Sequence, residues 1–203
     1  EKGSTFGGNT KLANLSTAIA MIPQTVEGGL PFGYTPLEYI ESTGTQYIDT
    51  GVGVSYKMEL DVEFINTGST NLMGNSARAG YYFGTTASGL YDAGGSTSSV
   101  SGLKRRTITV ESTTNSISLT ANGTTTTKSK SVTTETGTLY LFAINGYTDQ
   151  YFASARIYSC KIYTGDTLIR DFTPCKNNNG VIGLYDLVNG VFYPNKGTGN
   201  FIG

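Results

Sequence analysis

The chain has 203 residues, a formal net charge of −1 and 14% charged residues, against about 25% in ordinary soluble domains. Near-neutrality argues against general nucleic-acid or membrane-surface binding, and no apolar run approaches the roughly 18 residues of a bilayer-spanning helix. There is no histidine, which removes the usual general base, Ser-His-Asp and Cys-His arrangements, and His-based zinc sites. The 27 glycines, with abundant Ser and Thr, predict short strands, many turns and a hydroxyl-rich surface. The chain starts at Glu1 without a recognisable signal peptide, so it reads as a fragment or processed product of a longer protein.

The first segment has helical periodicity. Leu12, Leu15, Ile19 and Ile22 fall on one stripe, Asn9 or Thr10 caps its start, and Pro23 ends it. A helix of about a dozen residues is marginal alone, so the stripe is expected to make an assembly contact. Glu27 to Gly33 reads as a flexible linker. Residues 1–34 are thus a helix and Gly-rich linker, set apart from a domain at 35–203.

From Tyr34 onward the period is two. Leu37–Glu41 and Gln46–Thr50 read as a β-hairpin around Ser42-Thr43-Gly44-Thr45. Met58, Leu60, Val62 and Phe64 alternate with Glu59, Asp61 and Glu63. Lys104-Arg105-Arg106 reads as a solvated strand start, before Ile108 and Val110. Ile117, Leu119 and Ala121 precede the turn signal Asn122-Gly123, and Thr124–Thr127 reads as an exposed edge strand. Leu139, Leu141 and Ala143 alternate with Tyr140 and Phe142.

Cys160 is expected on a buried face shared with Tyr158 and Ile162. A hairpin around Thr164-Gly165-Asp166-Thr167 pairs Cys160 near Asp171, not Cys175. Register alone does not bring the two thiols within bonding distance, and a disulfide stays open. The pattern predicts an all-β, antiparallel two-sheet sandwich preceded by one short helix.

Four stretches carry a resemblance: Leu37–Gly51, Ala155–Tyr163, Arg170–Cys175 and Gly183–Tyr193. Together they resemble the laminin-G-like (concanavalin A-like) domains of structural and tail proteins from phages and prophages of gut bacteria. The resemblance covers residues 35–203 and implies a jelly-roll sandwich on a virion, an extracellular particle. Its partners would be other virion chains, in a homo-oligomer, and a bacterial surface glycan or glycoprotein. It implies adhesion from a tail, fibre or head appendage without catalysis; the alternative is a purely structural decoration or assembly domain. Laminin-G-like domains often hold calcium at a loop rim. The loop candidates are Asp92, Asn145, Asp149 and Asn177-Asn178-Asn179, although no spacing matches a dedicated calcium loop.

Two constellations bear on chemistry. Tyr81-Tyr82-Phe83, Tyr91-Asp92 and Asn145–Phe152 cluster rings with amides and carboxylates, the pairing that a sugar face and its hydroxyls require. Tyr91, Asp92, Asn145, Tyr147, Asp149 and Tyr151 are the ligand-binding candidates, with Tyr147 stacking on the sugar. Glu59, Asp61 and Glu63 have the E-x-D-x-E form that supplies nucleophile, assisting Asp and acid/base in one family of jelly-roll β-glucanases. Its early position and the absence of Trp weigh against a glycoside hydrolase, and solvated outward carboxylates are the plain alternative.

Overall fold

The computed structural model describes residues 29–65, 71–76, 80–130, 136–146 and 151–203. The stripe of Leu12, Leu15, Ile19 and Ile22 lies outside them, as do Tyr147 and Asp149. Strands form at β1 (Tyr34–Pro36), β2 (Ile40–Thr43), β3 (Ile48–Asp49), β4 (Tyr56–Phe64), β5 (Asn71–Ser76), β6 (Tyr81–Thr85), β7 (Leu90–Ala93) and β8 (Ser96–Ser101). They continue with β9 (Arg106–Ser112), β10 (Ser116–Ala121), β11 (Thr124–Ser129), β12 (Tyr140–Leu141), β13 (Ser154–Thr164), β14 (Thr167–Asn177), β15 (Ile182–Asp186) and β16 (Val191–Pro194). No α-helix forms among the described residues.

The strands make two antiparallel sheets packed as a β-sandwich. The larger runs β11-β10-β9-β4-β13-β14-β15-β16, with β2 against β13 and β1 against β14. The smaller runs β3-β12-β5-β6-β7-β8. Period-two alternation drives this arrangement: each strand buries every second side chain, and the two apolar faces close on each other. Met58, Leu60, Val62 and Phe64 are all fully buried, as are Ile108, Val110, Ile117 and Leu119. Ile48, Met73, Phe83 and Leu141 from the smaller sheet join them in one core.

Several local readings agree with the structure. Asn122 and Gly123 both take positive φ, 49° and 76°, as a two-residue β-hairpin turn requires. Thr124–Ser129 is an exposed edge strand. The β13–β14 hairpin closes at Thr164 and Thr167, and Cys160 lies opposite Phe172, one residue from the expected partner, with a bulge in the ladder at Ile162/Tyr163.

Four readings are corrected. Leu37–Thr50 is no hairpin: β2 pairs with β13, whereas β3 pairs with β12 in the other sheet. Splitting the two runs buries Ile40 and Ile48 from opposite sides of the core. The corner between them is held by Gln46, 3% exposed, whose Oε1 accepts the Thr43 N–H at 2.9 Å and the Ser42 hydroxyl at 3.1 Å. Tyr158 does not share the face of Cys160, because a bulge between Ile157 and Ser159 turns it outward. Phe142, which alternates with Leu141 and Ala143, is nonetheless fully buried at φ 67° and packs on Phe201 at 5.2 Å. Such a backbone costs a bulky residue about 1–3 kcal/mol, which the core contact offsets.

The fourth correction concerns the linker. Leu30 is fully buried in a second small cluster with Cys175 and Tyr185, flanked by Tyr34, Leu187 and Phe192. This cluster covers the outer face of the larger sheet, so Leu30 is seated on the sandwich, while Glu27 and Gly28 of the expected linker lie outside the described residues.

Candidate functional site

Among the described residues, the outer face of the larger sheet carries most of the ion pairs. Strand register sets Arg156 of β13 between two carboxylates, Glu41 of β2 and Glu63 of β4. Arg156 Nε donates to Glu41 at 2.7 Å and Nη1 to Glu63 at 3.3 Å. The Tyr158 hydroxyl, brought outward by the bulge, also donates to Glu63, at 3.0 Å. One strand further on, Arg105 reaches Asp61 at 2.9 Å and Glu38 at 3.4 Å. Both guanidinium groups stack on tyrosines: Arg105 lies 3.6 Å from the Tyr158 ring centroid and Arg156 4.8 Å from that of Tyr39. Hydrogen bonding to Glu41 and to Asp61 raises the pKa values of Arg156 and Arg105 above the ordinary range.

This network bears on Glu59, Asp61 and Glu63. The three share one sheet face, as alternation predicts, but each carboxylate is engaged. Asp61 is gripped by Arg105, Glu63 by Arg156 and Tyr158, and Glu59 meets Lys57 at 4.0 Å and the Tyr163 hydroxyl at 3.5 Å. A retaining glycosidase places its two carboxyls about 5 Å apart; here each of the three carboxylates meets a cation or a phenol. Arg105, Arg156, Tyr39 and Tyr158 were not legible as a unit in the sequence. The signal was cross-strand register, which local patterns do not carry.

The aromatic candidates do not converge on one surface. Tyr91 is fully buried, with Phe64 edge-on at 6.0 Å and Arg106 at 5.5 Å. Its hydroxyl has no hydrogen-bond partner among the described residues, and burial pushes its pKa up to about 12. It is core and offers no face to a ligand, which corrects its expected role as a ligand-binding residue. Asp92 is 4% exposed; it accepts the Gly95 N–H at 2.9 Å and the Thr97 hydroxyl at 3.2 Å, shaping the β7–β8 turn. Asn145 donates to the Thr138 carbonyl at 3.0 Å. Tyr151 is 47% exposed. Tyr81 and Phe83 point into the sandwich and Tyr82 away from it, where desolvation, with Asp92 and Tyr151 nearby, raises its pKa.

Of the loop oxygens considered for calcium, those of Asp92 and Asn177 are used locally, and Asp149 lies outside the described residues. Asn177 Oδ1 accepts the N–H groups of Asn179 and Val181, each at 3.0 Å, a turn-stabilising role. Among the described residues no three His, Cys, Asp or Glu side chains gather as a metal site.

The thiols are separate. Cys160 faces the main core and Cys175 the outer cluster, so the larger sheet lies between them, and both are free. Compared with family models and with curated proteins, the chain matches none.

Proposed function

We propose that the chain is a non-enzymatic virion module of a phage, a laminin-G-like jelly roll at residues 35–203 that adheres to a bacterial surface glycan or glycoprotein. Support comes from the four stretches that resemble such domains. They form the corner at 37–51 and strands β13 to β16, the elements that frame the sandwich. The observation that carries the non-enzymatic half is the engagement of Glu59, Asp61 and Glu63 by Lys57, Arg105 and Arg156. The helix expected over 11–22 belongs to the same reading, as a contact with other virion chains. A glycan array tests adhesion directly: selective retention on bacterial glycans is expected, and no retention would refute it.

A second reading, a structural decoration domain binding only virion chains, is favoured by exposed apolar side chains. Phe32 is 75% exposed, and Val188 and Val191 are 45% and 46% exposed. Co-assembly with virion proteins in the absence of glycan binding would select this reading.

A further inference from the structure

Between the β14–β15 turn and the closing segment of the chain lies a cavity of about 410 Å³, lined by Asn179, Val181, Ile182, Asn195, Asn200 and Phe201. Among the described residues no charged side chain lines it. Its frame is fixed by hydrogen bonds. Asn177 holds the turn through the N–H groups of Asn179 and Val181, and Gly180 takes φ 78° there. Asn195 is spent on structure: its Oδ1 accepts from Tyr47 N–H at 3.1 Å and Gly197 N–H at 2.7 Å, and its Nδ2 donates to the Gly199 carbonyl at 2.9 Å. Phe201 is anchored in the core against Phe142 and is 3% exposed.

Two side chains remain uncommitted. The Asn179 and Asn200 amides are exposed and make no side-chain hydrogen bond among the described residues. Each offers one acceptor and two donor hydrogens. Beside them, Val181, 41% exposed, and the half-buried Ile182 supply an apolar wall. The combination selects a ligand class. An anionic sugar or a phosphate would lose hydration without meeting a cation. A plain hexose would offer the apolar wall only ring C–H groups, with no amide to match the asparagines. A neutral sugar carrying an acetamido group matches both parts, its amide against the asparagines and its methyl against the valine and isoleucine.

We propose that this cavity is a subsite for an N-acetylhexosamine residue of a surface glycan. The proposal deepens the adhesion reading and rests on it. The site is built on the β14–β15 turn and a hydrogen-bonded closing segment, so recognition does not depend on the 145–151 loop.

The test uses the full chain, ¹⁵N-labelled, titrated separately with N-acetylglucosamine, N-acetylgalactosamine and glucose. At about 10 mM, a monosaccharide site with Kd about 1 mM is nearly saturated. One or both N-acetylated sugars should shift the side-chain amide signals of Asn179 and Asn200, and glucose should not. The double variant Asn179→Ala, Asn200→Ala should weaken binding at least about tenfold while keeping its melting temperature. No shift at those amides, or an equal shift with glucose, overturns the assignment. Adhesion to bacterial glycans that survives unchanged in the double variant overturns the subsite and leaves the adhesion reading standing. A wild-type chain that retains no glycan of any kind overturns both.

Discussion

Arg156 lies directly opposite Glu41 in the β13–β2 ladder and donates to it at 2.7 Å, while its ring partner Tyr39 lies 4.8 Å from the guanidinium. The Glu41 side chain is only 17% exposed, so the pair is worth more than an ordinary surface ion pair. It also fixes the short strand β2 onto β13, next to the corner where the chain changes sheets. Arg156→Met should cost about 1–2 kcal/mol, because it leaves the partly buried Glu41 without its donor and Glu63 with only the Tyr158 hydroxyl. Chemical denaturation of Arg156→Met, Glu41→Gln and the double variant should give a coupling of about 1 kcal/mol that shrinks at high salt. Strictly additive single effects would show the pair to be incidental.

Leu30 sets the boundary of the folded unit. A chain starting at residue 29 should melt close to the full chain. A chain starting at residue 34 loses the fully buried Leu30 side chain and should be less stable by about 2 kcal/mol, near the low end for emptying a leucine site. Leu30→Ala should reproduce most of that loss. Equal melting of all three would return residues 29–33 to the status of a tether.

Lys130 gives the stability a pH dependence. Its amine sits 3.2 Å from the Tyr81 ring centroid and 3.4 Å from the Ser112 hydroxyl. Burial lowers its pKa from 10.5 to about 7, and the ring face, which attracts the charged form, works against that shift. Desolvation prevails, so between about pH 7 and 10.5 the unfolded chain binds more protons at this residue than the folded one. Stability contributed by Lys130 therefore rises with pH across that window. Measured against Lys130→Met, the melting temperature of the wild type should climb from pH 7 toward pH 10. Parallel curves would show that the charged form is fully tolerated.

Both thiols should be silent in the folded protein. Desolvation raises Cys160 above the ordinary thiol range and pushes Cys175 up to about 12, so little thiolate is present at pH 8. A disulfide-exchange reagent should react negligibly with native protein and with two thiols after unfolding in guanidinium. Fewer than two reactive thiols in unfolded, unreduced protein would indicate a bond between them.

The all-β class and most buried faces were legible because alternation is a local signal. Met58 to Phe64 and Ile117 to Ala121 declare their inward side chains without reference to any partner strand. What was not legible depended on partners far away in sequence. The 37–50 corner carries hairpin chemistry, yet β13 and β12 capture its two arms. A bulge at Ile157/Ser159 reverses Tyr158 and so creates its bond to Glu63. Tyr91 resembled a binding ring because Asp92 follows it. Alternation sends the two to opposite faces, and Tyr91 takes the core.

Adhesion without hydrolysis is tested most directly on envelopes of gut bacteria, by measuring retention of the protein before and after periodate oxidation of the glycans, alongside the release of reducing ends. Retention that periodate abolishes, with no sugar release, is expected. Retention indifferent to periodate, or release of reducing ends that Glu63→Gln removes, would contradict it.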